Sequence, residues 1–448
     1  MQVLEARAQP GGLASGLNID GFTFDAGPYL LLDKPGLTWA FGELGLQLEK
    51  CLDLVRIDQI YSVSYPDQPS VHINASLEET AERLNTDWPG AGKRYRRLMD
   101  YAEKAYQAFS PLQRVANPSA ADLLHDRRWQ RLPFLARSLS SVLRTTGLPE
   151  AVRNAIGIWT HVAGETLAQA PSPLLFLPAL MHSVGAFYPQ GGMGKIASLL
   201  TAEAEAAGVR FECGQKVIKI SHAQGQVNGV TLSGGEFLPA DAVVANAAAL
   251  DVSLNLMDTA SPKMRRRLEN VRLQSPGVCA YLAVRRKTPY IRPQADSPYV
   301  QFRLPGAGQL CRFLVQPCVL APELEKEGWQ PARLLAPMRH DEAERVGLQG
   351  QQEYLNRLLD EPWWQEDFDE VRVLETCLPV EWGARFHLYR DSMNPVMTAR
   401  WMGFDRFSHR NSLSGLYLCG SATYPGYSVS FCAISGILAA REMEEDYA

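Results

Sequence analysis

The first 28 residues, MQVLEARAQPGGLASGLNIDGFTFDAGP, constrain the fold more than any other stretch of the chain. Val3-Leu4-Glu5 reads as a strand end carrying an acid, the device by which a doubly wound α/β fold holds a ribose. Gly11, Gly12, Gly21 and Gly27 then recur where backbone could pass close to a ligand. In such a fold this strand is the second one, preceded by a strand, a G-x-G-x-x-G turn and a helix. No such turn stands between Met1 and Glu5. The expectation is a Rossmann-like α/β unit read from its second strand.

With 448 residues, 46% hydrophobic and 21% charged, the chain can fill two or three domains. A net charge of -5 argues against a nucleic-acid partner, which would favour a basic excess. The eight cysteines are scattered without a C-x-x-C pair and read as reduced core thiols of a cytoplasmic protein. No apolar run reaches the ~18 to 20 residues that span a bilayer, so membrane contact would be peripheral, on the inner face.

Along the chain, Trp39 to Leu46 reads as a helix, and Ser76 as an N-cap with Glu79 three residues on. Between Arg127 and Pro149, five arginines and no acid interleave with Trp129, Leu132, Phe134, Leu135, Leu139, Val142 and Leu143. That segment is either a solvated helix face packed on a core or an interfacial helix on anionic lipid. Gly191-Gly192-Met193-Gly194-Lys195 is no Walker loop, because Ile196 follows the lysine. A helix from Ile196, strands at 209–211 and 216–220, a hairpin turning at Gly234-Gly235 and a buried strand at 242–245 come next. The end is a buried strand, Leu416-Tyr417-Leu418-Cys419, running into Gly420-Ser421, then Pro425-Gly426 and a small-residue helix from Val429.

Three blocks therefore stand in one order: VLEARAQPGG with GFTFDAGP, YPQGGMGKIASLL with ADAVVANAA, and GLYLCGSATYPGYSVSFCAISGILAA. Together they resemble the FAD-binding parts of the flavin amine oxidase and phytoene desaturase superfamily, most of all its carotenoid desaturase and isomerase branch. The resemblance implies a discontinuous FAD-binding domain at 1–75, 186–250 and 405–448, and an inserted mixed α+β substrate and membrane-contact domain at 76–185 and 251–404. It implies that Glu5 accepts hydrogen bonds from the adenosine ribose, and that Gly11, Gly12 and Ser15 lie along the pyrophosphate or ribityl chain. Gly27 and Pro28 would face the isoalloxazine ring, and Val217 would contact adenine. Gly420 and Ser421 would sit at the ribityl or phosphate end, a hydroxyl standing where many relatives carry an acid. Val429 and Ser430 would begin the helix aimed at flavin N1 and C2 carbonyl.

The chemistry so implied is hydride transfer from a long apolar polyene to flavin N5, or isomerisation without net oxidation. No G-x-S-x-G elbow, HExxH or metal-spaced His and Cys cluster suggests another mechanism, and no metal is expected. His161, His182 and His387 read as structural. Arg385 and Asp391, in the block before the closing motif, are the candidates for acid/base or cation-stabilising work, with a surface salt-bridge cluster as the other reading. An amine oxidase is the alternative within the class. A flavin-free relic or lipid-binding partner is the alternative outside it, if Met1 is the true start rather than an internal one.

Overall fold

In the computed structural model, which describes residues 1–287, 298–306, 310–403 and 405–448 except the side chains of residues 120, 126 and 127, the opening strand forms where the sequence predicts it. β1 (Gln2–Glu5) ends on the acid, and a hairpin of β2 (Gly16–Ile19) and β3 (Phe22–Asp25) follows. The hairpin turns through Asp20 (φ 48°) and Gly21 (φ 79°), the left-handed pair that a two-residue loop demands. α1 (Lys34–Glu43) begins at Asp33 rather than at Trp39, because the Asp33 carboxylate caps it by accepting from Gly36 N at 3.0 Å.

β4 (Gln59–Ser64) and β5 (Val71–Asn74), assigned above to the nucleotide unit, form the edge of a seven-stranded sheet made otherwise by later residues. Ser76 does cap α2 (Leu77–Asp87), its hydroxyl accepting from Glu79 N at 3.2 Å, and α3 (Ala91–Phe109) packs on that helix.

The arginine-rich segment is three short helical pieces, His125–Arg131, Leu132–Leu135 and Leu139–Arg144. Phe134, Leu139, Val142 and Leu143 are buried in the largest core cluster, so they cannot enter an acyl boundary. Arg128 donates to the Ala108 and Asp122 carbonyls, and Arg137 to the Ser141 carbonyl, so these guanidinium groups tie the pieces down. The Arg127 side chain lies outside the described residues. Core packing explains the apolar positions, and among the described residues Trp129 (52% exposed), with Leu124 (63%) just before the segment, keeps a large apolar group outside.

α4 (Gly194–Ala206), β6 (Arg210–Cys213), β7 (Val217–Ala223), β8 (Gln226–Leu232), β9 (Phe237–Pro239) and β10 (Val243–Ala245) follow the predicted series closely. β6 pairs in parallel with β1, and β7, β8 and β9 make an antiparallel meander.

The seven-stranded sheet adds β11 (Val278–Arg286), β12 (Val300–Arg303), β13 (Arg312–Val315), β14 (Gln330–Ala336) and β15 (Phe368–Cys377), in the order β15-β11-β14-β13-β12-β4-β5. α5 (His340–Asp360) covers one face, where Leu355 and Leu358 pack on Ala280, Leu282, Leu314 and Leu334. Register aligns two rows on the opposite face: Glu375, Tyr281, Arg333, Val315, Val300 and Tyr61 in one, Cys377, Cys279, Leu335, Phe313, Phe302 and Val63 in the other. α6 (Pro379–Phe386) leaves β15 toward this second face. Last come β16 (Leu416–Leu418), parallel to β10, and α7 (Val429–Tyr447), which packs on α1.

Candidate functional site

At the carboxyl end of β1, the Glu5 carbonyl accepts from Gln215 N (2.8 Å) and the Arg7 carbonyl from Gly214 N (2.9 Å), which draws the segment leading to Val217 against Glu5. The carboxyl ends of parallel strands are where such sheets receive ligands. Glu5 Oε1 accepts from Arg7 N at 2.8 Å, while its second oxygen makes no hydrogen bond among the described residues. Gly11 (φ 111°) and Gly12 (φ 51°) then turn the chain. A Cβ on Gly11 would stand 3.0 Å from the Ala197 Cβ, whereas one on Gly12 would meet nothing within 4 Å, so the open side of this turn is at Gly12.

Arg7 holds the turn from outside, donating to Gly12 O and to Ser15 Oγ, both at 3.1 Å, while Ser15 donates to Gly12 O at 2.7 Å. Burial lowers the Arg7 pKa and the nearby Glu5 charge opposes that shift. The sequence reading quoted Arg7 within its first block and gave it no role.

β3 ends in a buried knot. Asp25 accepts from the Tyr188 hydroxyl (2.9 Å) and from Met193 N (2.7 Å), which ties the second glycine cluster to the opening block. Burial, the largest influence, pushes the Asp25 carboxyl up to about 6, against the pull of Tyr188, Met193 and Arg333. Gly27 follows, folded so closely on Leu13 that a Cβ would lie 2.7 Å from the Leu13 carbonyl. Arg333, on β14, donates to the Asp25 and Gly27 carbonyls, each at 3.0 Å, and its Nε to Cys279 Sγ at 3.4 Å. The sheet therefore grips the Gly27-Pro28 loop directly.

The Arg333 guanidinium lies 5.8 Å from the Tyr281 ring centre and 5.6 Å from that of Trp382. Trp382 stacks on Phe386 (4.9 Å), and Arg7 lies 4.4 Å over Phe386. This ladder joins the Gly27 loop to the Gly12 turn through α6. Sequence reasoning missed Arg333 and Tyr281. The available signal was one arginine inside the apolar run Pro331-Ala332-Arg333-Leu334-Leu335.

In the closing block, a Cβ on Gly420 would come 2.2 Å from Asn246 Oδ1, which packs the end of β16 on the end of β10. Gly420 N donates to Ser435 Oγ at 2.6 Å and Thr423 donates to Gly420 O at 2.8 Å. The half-buried Ser421 hydroxyl has no partner among the described residues. Ser428 caps α7 by accepting from Phe431 N at 3.0 Å. The N–H groups of Val429 and Ser430 belong to the first turn, which has no carbonyl within the helix to bond. The buried Ser430 hydroxyl donates instead to Asp33 Oδ2 at 3.1 Å, locking α7 to the cap of α1.

Arg385 and Asp391 are not brought together. Arg385 pairs with Glu375, and Asp391 lies against Gly383 on α6, where a Cβ would be 1.7 Å from its carboxylate. Burial raises the Asp391 pKa, with His340 opposing. Neither forms an acid/base pair with the other, because each is already committed to packing α6.

The donors and acceptors fit a flavin nucleotide laid across these turns. Glu5 has a carboxylate oxygen unbonded and Ser421 a hydroxyl unpartnered among the described residues, Gly12 leaves an open backbone approach, and α7 presents a positive helix end. The fold and site define a flavin-dependent oxidoreductase. The chain belongs to the flavin containing amine oxidoreductase family, whose pattern matches residues 1–444. It is 27% identical over 463 residues to the zeta-carotene-forming phytoene desaturase of Myxococcus xanthus, covering 98% of this chain and 88% of that one. The 4,4'-diapolycopene oxygenase of Methylomonas sp is 22% identical over 466 residues, covering 98% and 92%. An oxidoreductase structure from Methanosarcina mazei shares the fold, with a TM-score of 0.65 at 16% identity over 99% of this chain and 94% of that one.

Proposed function

We propose that the chain is an FAD-dependent oxidoreductase of a long apolar isoprenoid, of the carotenoid desaturase or isomerase type. The observation that carries this reading is the inner face of the seven-stranded sheet. Val300, Phe302, Phe313, Val315, Tyr61 and Val63 make one half of it continuously apolar and aromatic, and Arg333 fastens the sheet to the Gly27-Pro28 loop. Tyr29, Trp159 and His161 pack on that half and extend its apolar, aromatic layer. The desaturases among the relatives support the same substrate class.

FAD, when bound, would supply the two-electron redox chemistry, with a hydride of an allylic C–H going to the flavin and the adjacent proton to water. Glu5 would hold the adenosine ribose, with Val217 at the adenine, and the turn from Gly11 to Ser15 would pass the pyrophosphate or ribityl chain. Gly27 and Pro28 would set the ring against the sheet. Gly420 and Ser421 would meet the ribityl or phosphate end, and the first turn of α7 at Val429 and Ser430 would face the flavin N1 and C2 carbonyl. Its positive end would stabilise negative charge there.

Peripheral contact with a bilayer would use the exposed Leu124 and Trp129 rather than the buried Phe134 to Leu143 face. Among the described residues no helix is long and apolar enough to cross a membrane. The substrate reading is tested by incubating the FAD-loaded chain with lipid-dispersed phytoene, lycopene isomers and retinol and resolving the products. New conjugation or altered geometry supports it, and unchanged polyenes under conditions that reduce and reoxidise the flavin overturn it. Loss of vesicle co-sedimentation in L124S/W129S tests the membrane contact, and unchanged binding contradicts it.

A further inference from the structure

We propose that Tyr281, Arg333 and Trp382 form a subsite for a conjugated carbonyl or carboxylate oxygen, so that the preferred polyene carries such an oxygen at one end. The inference rests on the polyene reading above and narrows it.

The inner face of the sheet changes character across its strands. On β4, β12 and β13 it is hydrocarbon and aromatic, whereas on β11, β14 and β15 the aligned residues are Tyr281, Cys279, Arg333, Glu375 and Cys377 beside a single apolar one, Leu335. Glu375 is spent on Arg385. What remains is a group of donors without an acceptor. The Tyr281 hydroxyl and the Trp382 indole N–H are buried with no hydrogen-bond partner among the described residues, apart from the weakly accepting Cys279 thiol near Tyr281. Arg333, between their rings, is buried and bonds only two main-chain carbonyls and that thiol. Asp25, the carboxylate whose charge acts on it, already accepts from Tyr188 and Met193.

Buried donors keep their desolvation cost until an acceptor arrives. A hydrocarbon cannot supply one. A planar, conjugated oxygen can, because its π system suits the flanking phenol and indole while the oxygen meets their donors and the guanidinium. Arg333 also bonds the Gly27 carbonyl, so an oxygen held here is anchored beside the loop proposed to carry the flavin. The rest of the chain would then extend toward the apolar, aromatic half of the sheet. Such an anchor fixes register: it determines which carbon–carbon bond stands opposite the flavin.

The same chemistry, a carbonyl oxygen, is offered by the pyrimidine edge of a flavin, and the test separates the two sources. FAD affinity is measured on the full chain by flavin fluorescence. Retinoic acid and its hydrocarbon analogue axerophtene are then titrated into the FAD-loaded protein. Retinoic acid should bind about tenfold more tightly, a difference of about 1.4 kcal/mol. Y281F and W382F, which keep the rings, should each remove most of that preference while moving axerophtene and FAD affinity far less. Equal binding of the two polyenes by the wild-type chain overturns the subsite alone. Lost FAD affinity in both variants, with the retinoic acid preference intact, assigns the donors to the flavin and also overturns it. Binding of neither polyene to the FAD-loaded protein overturns the polyene reading together with the subsite.

Discussion

The seven-stranded sheet and the nucleotide unit differ in how completely they exclude water. β11 is buried at each of its first seven residues, Val278 to Val284, with α5 on one side and the site on the other. In the nucleotide unit, Val244 at the centre of β10 is 43% exposed, and three of the four residues of β6 are exposed. Parallel strands of an α/β fold ordinarily bury both faces. Here β1 and β10 each have one strand neighbour among the described residues. The sheet is therefore stabilised by its own core, while the nucleotide unit is fastened at a few points, Asp25, Arg333 and the Asp33–Ser430 contact, and leaves β6 and the centre of β10 exposed.

The largest effect expected from this contrast is a pair of truncations. Leu334→Ala opens the α5-facing core and should cost about 2–5 kcal/mol in urea unfolding, whereas Val244→Ala should stay within about 0.5 kcal/mol. Comparable losses at the two sites would break the comparison. Arg333→Met should cost about 3 kcal/mol, because the Asp25 and Gly27 carbonyls lose a charged donor, and it should also weaken FAD binding through the loop. Unchanged FAD affinity in a folded R333M protein would uncouple the two regions.

Asp25 gives a smaller, pH-dependent effect. Its folded pKa, about 6, lies above the ordinary 3.8, so the native state binds this proton more tightly than the unfolded chain does. The resulting destabilisation is absent below pH 3.8, grows as pH rises toward 6 and is complete above that. His161 and His182 act in the opposite sense: burial lowers both from 6.5 to about 4, so their share of stability is present above pH 6.5 and lost as pH falls toward 4. The Asp25 contribution is isolated by difference. Stability of D25N relative to wild type should rise by about 2 kcal/mol between pH 4 and 6.5, and a flat difference would contradict the buried carboxyl.

Much of the nucleotide unit was legible because its signals are local. A strand ending in Glu5, left-handed glycines at 11 and 12, and the Gly234-Gly235 hairpin each follow from a few adjacent residues. The arginine-rich segment misled because its alternation fits a lipid face and a core face equally, and only tertiary packing sends Phe134 and Leu139 inward. The Tyr281, Arg333 and Trp382 group was hidden for a different reason. Two of its members are cross-strand partners and the third stands on a helix far along the chain, so no local period marks them. The parallel pairing of β4 with β12 was hidden likewise, since it joins residues across a long sequence separation.

Hydrogen exchange of the full chain with and without FAD tests the central claim most directly. FAD binding should slow exchange in β1, β6, β10 and the first turn of α7, while β11 and the α5-facing half of β14 stay as protected as before. A chain that takes up no FAD, or one whose added protection falls on β11 and spares β1 and β10, would contradict the account.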